Sequence, residues 1–146
     1  MSPSKRGFTK VLVAVDGSEV SLRAVEHAAR IAKQDGAELL VLHVLPVPPF
    51  EIQGQLADHY DHARRDASKW MKDVEDIASR HGIGAKTEIL VGAHSVVDAV
   101  IGYAETLAVD LIVSGTRGMT PSRRMLVGSV ASGLVEYSSC AVLVVR

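Results

Sequence analysis

Apolar and polar positions fall into two alternating kinds of block along this chain. Residues 10–15 (Lys-Val-Leu-Val-Ala-Val) and 38–45 (Glu-Leu-Leu-Val-Leu-His-Val-Leu) are short runs that are apolar on both faces, which predicts central strands of a parallel sheet. Residues 85–91 alternate instead. Lys86 and Glu88 face one way, with Thr87, Ile89 and Val91 facing the other, as suits an edge strand. Residues 110–114 and 141–145 complete a set of five predicted strands, the last short and apolar and also placed at an edge.

Helical spacing fills the intervals. Leu22, Val25, Ala29 and Ala32 recur in steps of three and four after a Ser18 suited to N-capping, with Glu19 in the first turn and Gly36 as the stop. Pro46-Val47-Pro48-Pro49 predicts an irregular extended loop running to about Gly54. Leu56, Tyr60, Ala63, Ala67, Trp70, Val74 and Ile77 then form the stripe of a long amphipathic helix that Gly82 and Gly84 end. Ser95-Val-Val-Asp98 resembles a capping box ahead of Val97, Val100, Ile101, Ala104 and Leu107. A final short helix covers residues 130–137.

Strands alternating with helices imply parallel pairing and right-handed crossovers. The expected fold class is α/β: an open, doubly wound five-stranded parallel sheet of order 3-2-1-4-5, helices on both faces, Rossmann-like. Residues 1–146 are expected to form one domain, with 1–7 a flexible arm. The chain reverses between the first and fourth strands, and ligands of such sheets bind beyond the strand C-termini at that point. Asp16 follows the first strand and Gly115 the fourth, so topology alone brings them together.

The chemistry concentrates after the fourth strand, in Gly115-Thr-Arg-Gly118-Met-Thr-Pro-Ser-Arg-Arg-Met-Leu-Val-Gly128-Ser129. Strand, glycine-rich loop and helix in that order suit phosphate. Glycines admit close backbone approach, the helix start offers free N–H groups, and Arg117, Arg123 and Arg124 add cationic forks. Neither G-x-x-x-x-G-K-[ST] nor G-x-G-x-x-G is present. What stands there is Gly, two residues, Gly, nine residues, Gly-Ser.

That spacing resembles the nucleotide-binding signature of the universal stress protein family, in its ATP-binding branch. The resemblance covers nearly the whole chain: Val13-Ala14-Val15-Asp16-Gly17-Ser18, Leu42-His43-Val44, Asp110 through Gly118, Gly128-Ser129-Val130, and Val142 through Arg146. It departs at Ala141, where the family commonly has proline before the last strand. Residue by residue, the resemblance implies that Asp16 accepts hydrogen bonds from ribose hydroxyls. Val44 offers backbone groups to adenine, with Ala14 and Val15 lining that pocket. Gly115, Arg117, Gly118, Gly128, Ser129 and Val130 hold the phosphates and ribose through N–H groups and the Ser129 hydroxyl. It implies ATP, with or without Mg²⁺, as the ligand, a homodimer through the last strand, and a regulatory role in stress survival with slow hydrolysis at most. The alternatives are a genuine ATPase or nucleotidyl-transfer enzyme of related architecture, and a dimeric interaction scaffold. Phosphoryl transfer needs a positioned base and metal ligands, and no separate acid/base pair is identifiable, so no catalytic or dedicated metal residue is assigned.

Composition changes this picture little. Aromatics are 4% of the 146 residues, so aliphatic side chains must make the core, and a formal net charge of −1 gives no reason to expect nucleic acid as a partner. No apolar stretch is of membrane-spanning length, and the basic first ten residues lack the apolar core of a leader, so a cytoplasmic protein is expected. Cys140, the single cysteine, reads as a structural thiol. His43 reads as a satisfied imidazole within a strand, and His59 and His62 as members of a solvated helix face.

Overall fold

The computed structural model of the chain describes residues 7–48, 55–116 and 128–146. Among these residues nine elements follow one another: β1 Lys10–Ala14, α1 Glu19–Asp35, β2 Glu38–Pro46, α2 Leu56–Arg80, β3 Ala85–Ala93, α3 Val96–Thr106, β4 Leu111–Gly115, α4 Ser129–Tyr137 and β5 Ala141–Val145. The five strands form one sheet of order β3-β2-β1-β4-β5 with every pairing parallel, as the alternation of strand and helix predicts.

Side chains alternate across the sheet and build two cores. Val11, Val13, Leu39, Val41, Leu111 and Val113 pack with α1 and α2 on one face. Leu12, Leu40, Leu42, Val44 and Ile112 pack with α3 and α4 on the other. Being covered on both faces is what makes β1, β2 and β4 read as unbroken apolar runs. β3 and β5 are the edges, and Lys86, Thr87 and Glu88 of β3 are all exposed.

The local signals do their work at the ends of the helices. Ser18 caps α1 by accepting from Ser21 N, and Gly36 closes it in the left-handed region at φ 67°. Ser95 caps α3 by accepting from Asp98 N at 3.1 Å. Burial and, after it, the Glu88 carboxylate push the Tyr103 phenol of α3 up to about 12.

Two expectations need correction. Pro46 is not part of an irregular loop but the last residue of β2, at the point where the register with β3 shifts. Beyond Leu42, β2 no longer pairs with β1, so proline's missing N–H breaks no ladder between two strands. Leu56 does not face inward: it is 46% exposed, and the buried side of α2 begins at Ala67. A helix of 25 residues is about 37 Å long and outruns the strands beneath it, so its first turns have no core to face.

Asp110 fastens the start of β1. Its carboxylate accepts from Thr9 N at 2.9 Å, Thr9 Oγ1 at 3.1 Å and Lys10 N at 2.9 Å. Burial pushes its pKa up, but these hydrogen bonds together outweigh burial and hold the group below its ordinary value. A carboxyl that is more acidic folded than unfolded contributes its stabilisation above the unfolded pKa of about 3.9 and loses it as pH falls through the lower folded value. Asp110→Asn should therefore cost roughly 1 kcal/mol at neutral pH, a solvent-screened figure for bonds to a partly exposed charge. The difference from wild type should vanish near pH 2. Urea melts at both pH values check this, and equal midpoints at neutral pH would show that the carboxylate is not what fastens the strand.

Among the described residues no helix is long and apolar enough to cross a membrane.

Candidate functional site

β1 and β4 lie side by side, with Ala14 opposite Ser114 at their C-terminal ends. From there the chain leaves β1 toward β2 on one side and β4 toward β5 on the other. The crevice of an open α/β sheet lies at this divergence. Two chain segments of different character enter it.

The first is Asp16-Gly17-Ser18. Asp16 is half-buried, and its Oδ1 accepts from Ser18 N at 3.0 Å. Gly17 has φ 85°, which only glycine adopts without strain. The second is the start of α4. Gly128 is its N-cap at φ −74° and ψ 170°, ordinary extended backbone, and has no side chain to cap with. Gly128 N donates to Thr116 O, and Thr116 N donates to Val145 O at 2.7 Å, so the helix start is tied to the ends of β4 and β5. α1 and α3 satisfy an orphan N–H with a capping serine. α4 presents the first-turn N–H groups of Ser129 and Val130 beside a bare glycine. Such an end carries partial positive charge and open donors.

The remaining predicted site residues divide. Ala14 and Val44 pack on the same face of the sheet, the α3 and α4 side. Val15 lies on the opposite face under α1. Its N donates to Leu42 O at 2.9 Å and its carbonyl oxygen meets His43 Nδ1 at 2.8 Å. Only Val15's backbone, therefore, is at the crevice side of the turn. Gly115 has a packing reason of its own, because a Cβ there would come within 2.5 Å of Val20 Cγ1 and 3.3 Å of the Val20 backbone. It lets α1 sit against β4, whatever else it does. Arg117 and Gly118, with Arg123 and Arg124, lie outside the described residues.

One feature of the turn escapes the sequence. The Trp70 indole lies directly over Gly17, at 2.9 Å from where a Cβ would stand, and meets the His43 ring edge-on with centroids 4.8 Å apart. Trp70 falls on the helical stripe of α2, which signals burial but not that the ring reaches a turn fifty residues earlier. Cys140 belongs to the other end of the sheet, next to the Ala141 that pairs with Leu111. Burial pushes its thiol up, which disfavours the thiolate at neutral pH. Among the described residues no cluster of three or more His, Cys, Asp or Glu side chains is placed to hold a metal ion.

Comparison with known proteins agrees with this architecture. The universal stress protein MJ0531 of Methanocaldococcus jannaschii is 34% identical over 95% of this chain and 82% of its own length. The universal stress protein UspA from Lactobacillus plantarum superposes with a TM-score of 0.86 at 28% identity, covering 96% of this chain and 99% of that one. A universal stress protein solved in complex with cAMP matches at a TM-score of 0.68 and 26% identity, covering 96% and 98%. A sequence model of the universal stress protein family matches residues 7–146, and this chain belongs to that family.

Proposed function

We propose that this chain binds ATP at the divergence of β1 and β4 and serves as a nucleotide-dependent regulatory protein of the stress response, hydrolysing its ligand slowly at most. The observation that carries the reading is the pairing, at adjacent strand ends, of a half-buried Asp16 carboxylate with a helix start capped by bare Gly128. One accepts from sugar hydroxyls, and the other donates to phosphate oxygens. The related protein that holds cAMP supports an adenine nucleotide as the class.

In this arrangement Val44 offers its backbone to adenine, and Ala14 lies on the same face of the sheet. Asp16 takes the ribose. The N–H groups of Ser129 and Val130, the Ser129 hydroxyl and the backbone of Gly115 and Gly128 take the phosphates, with Arg117 and Gly118 adding to that set. Mg²⁺ enters with the phosphates, since such ions are held by one or two carboxylates plus the nucleotide itself. Asp16 is the one carboxylate of the described turn, and it already accepts from Ser18 N. General-base catalysis is absent from this reading because the hydroxyls near α4 are poor bases without a partner.

One experiment tests ligand and chemistry together. Denaturing freshly purified protein and weighing the released compound should yield intact adenosine triphosphate. Release of the diphosphate alone would contradict slow hydrolysis. An empty crevice that also fails to take up added ATP in calorimetry would sink the binding itself.

A further inference from the structure

The turn that carries Asp16 is gripped from outside the crevice. His43 of β2 meets the Val15 carbonyl through Nδ1 at 2.8 Å. A carbonyl only accepts, so Nδ1 is the donor. Trp70 of α2 meets that ring edge-on, with an interplanar angle of 83°. The same indole closes over Gly17, 2.9 Å from an ideal Cβ at both Cε2 and Nε1. Asp16 therefore sits between two residues whose positions are set by His43 and Trp70. Its own hydrogen bond, to Ser18 N two residues on, is local. That bond shapes the turn but does not fix where the turn lies relative to the sheet.

We infer that His43 and Trp70 are positioning residues for the nucleotide site: they hold the β1 turn where Asp16 can meet a ribose, and Trp70 ties occupancy of the site to helix α2. This rests on the nucleotide reading above. A carboxylate that binds a sugar diol must be held to within about 0.5 Å by the groups behind it. A turn released from His43 and Trp70 keeps its Asp16 but not its placement.

The test is calorimetric titration with Mg²⁺ and ATP on four variants, with thermal melts alongside. His43→Leu removes the donor to Val15 O, whereas His43→Asn keeps a side-chain nitrogen donor at the same distance along the chain. Trp70→Leu removes the cover over Gly17, whereas Trp70→Phe keeps a ring. The two leucine variants should bind about tenfold more weakly while folded, and the Asn and Phe variants should stay within roughly threefold of wild type. Trp70 is the chain's one tryptophan, so its emission in the wild-type protein should change as ATP saturates the site. Unchanged affinity in folded leucine variants, or equal losses in the Asn and Phe variants, would overturn the inference alone. Should the leucine variants fail to fold, emission unmoved by saturating ATP overturns it. A wild-type protein that binds no ATP would overturn the nucleotide reading and this inference with it.

Discussion

Gly128→Asp is expected to abolish ATP binding and to leave the fold at least as stable as before. The two effects have opposite signs because they draw on the same groups. Gly128 sits at φ −74° and ψ 170°, close to the −71° and 158° of Ser18 at the start of α1. That conformation needs no glycine, and a capping side chain would suit it better. Aspartate there would accept from the first-turn N–H groups and complement the helix dipole, a gain of a few tenths to about 1 kcal/mol. Phosphate needs those same donors. A carboxylate in their midst occupies them and repels the ligand, forfeiting at least two charge-assisted bonds of roughly 1.5–3 kcal/mol each, or about a hundredfold in affinity at the low end. Gly128→Asn has nearly the same bulk without the charge and should lose far less. Melting curves and calorimetry on the three proteins settle the matter. Tight binding by a folded Asp variant would mean that the phosphates are not held at α4.

This logic also marks how much of the fold was legible in the sequence. Ser18, Gly36 and Ser95 act where local chemistry places them, because a cap is a contact between residues two to four apart and needs no knowledge of the rest. Parallel pairing follows from alternation of elements, a property of the chain rather than of any one residue, whereas the order 3-2-1-4-5 is one of several windings that alternation allows. What local pattern could not carry was reach. The stripe from Leu56 to Ile77 correctly announces α2, yet nothing in it says that the sheet stops short of its first turns and leaves Leu56 46% exposed. Pro46 looks like a strand breaker until β1 is seen to leave β2 after Leu42, which removes one neighbour the missing N–H would have served.

The place proposed for the site follows from the sequence for a related reason. Asp16 and Gly115 stand at the ends of the two strands, β1 and β4, at whose divergence the topology places a ligand. The reasons for individual glycines were not legible. Gly115 reads as a phosphate residue, and the structure gives it a prior duty, admitting Val20 of α1 against β4. Gly17 reads as a turn residue, and the structure adds the Trp70 ring pressed on it. A missing side chain leaves room for something, and the sequence does not name what fills it. Val15, which the family resemblance places at the adenine pocket, has its side chain in the core on the α1 and α2 side.

We propose that the chain forms a homodimer through β5, so charging this edge strand and its α4 flank is expected to yield monomers. The sheet's two edges are guarded unequally. β3 turns Lys86 and Glu88 to solvent, charges that discourage pairing with another strand. β5, Ala141–Val145, carries no charged residue along its length, and among the described residues it pairs only with β4. Beside it stands α4, which bears the two most exposed large apolar side chains among the described residues, Val135 at 58% and Tyr137 at 67%. A second copy related by a two-fold axis meets both needs at once. In the homodimer we propose, its β5 would pair antiparallel with this one and continue the sheet, and its α4 would bring apolar surface to cover Val135 and Tyr137. Val142 is a poor place to intervene, because it packs into the core on the α3 and α4 side and a charge there would strain the fold. Val144 does not belong to either core cluster. Val144→Lys combined with Tyr137→Glu places charge on the strand and on its flank, and a two-fold axis sets each substitution near its own copy. Like charges facing across paired strands are destabilising, and neither can be desolvated cheaply. Sedimentation should show a wild-type dimer and a folded monomeric variant, with unchanged melting behaviour of the individual chain. A variant that stays dimeric at the same concentration would place the interface on another surface.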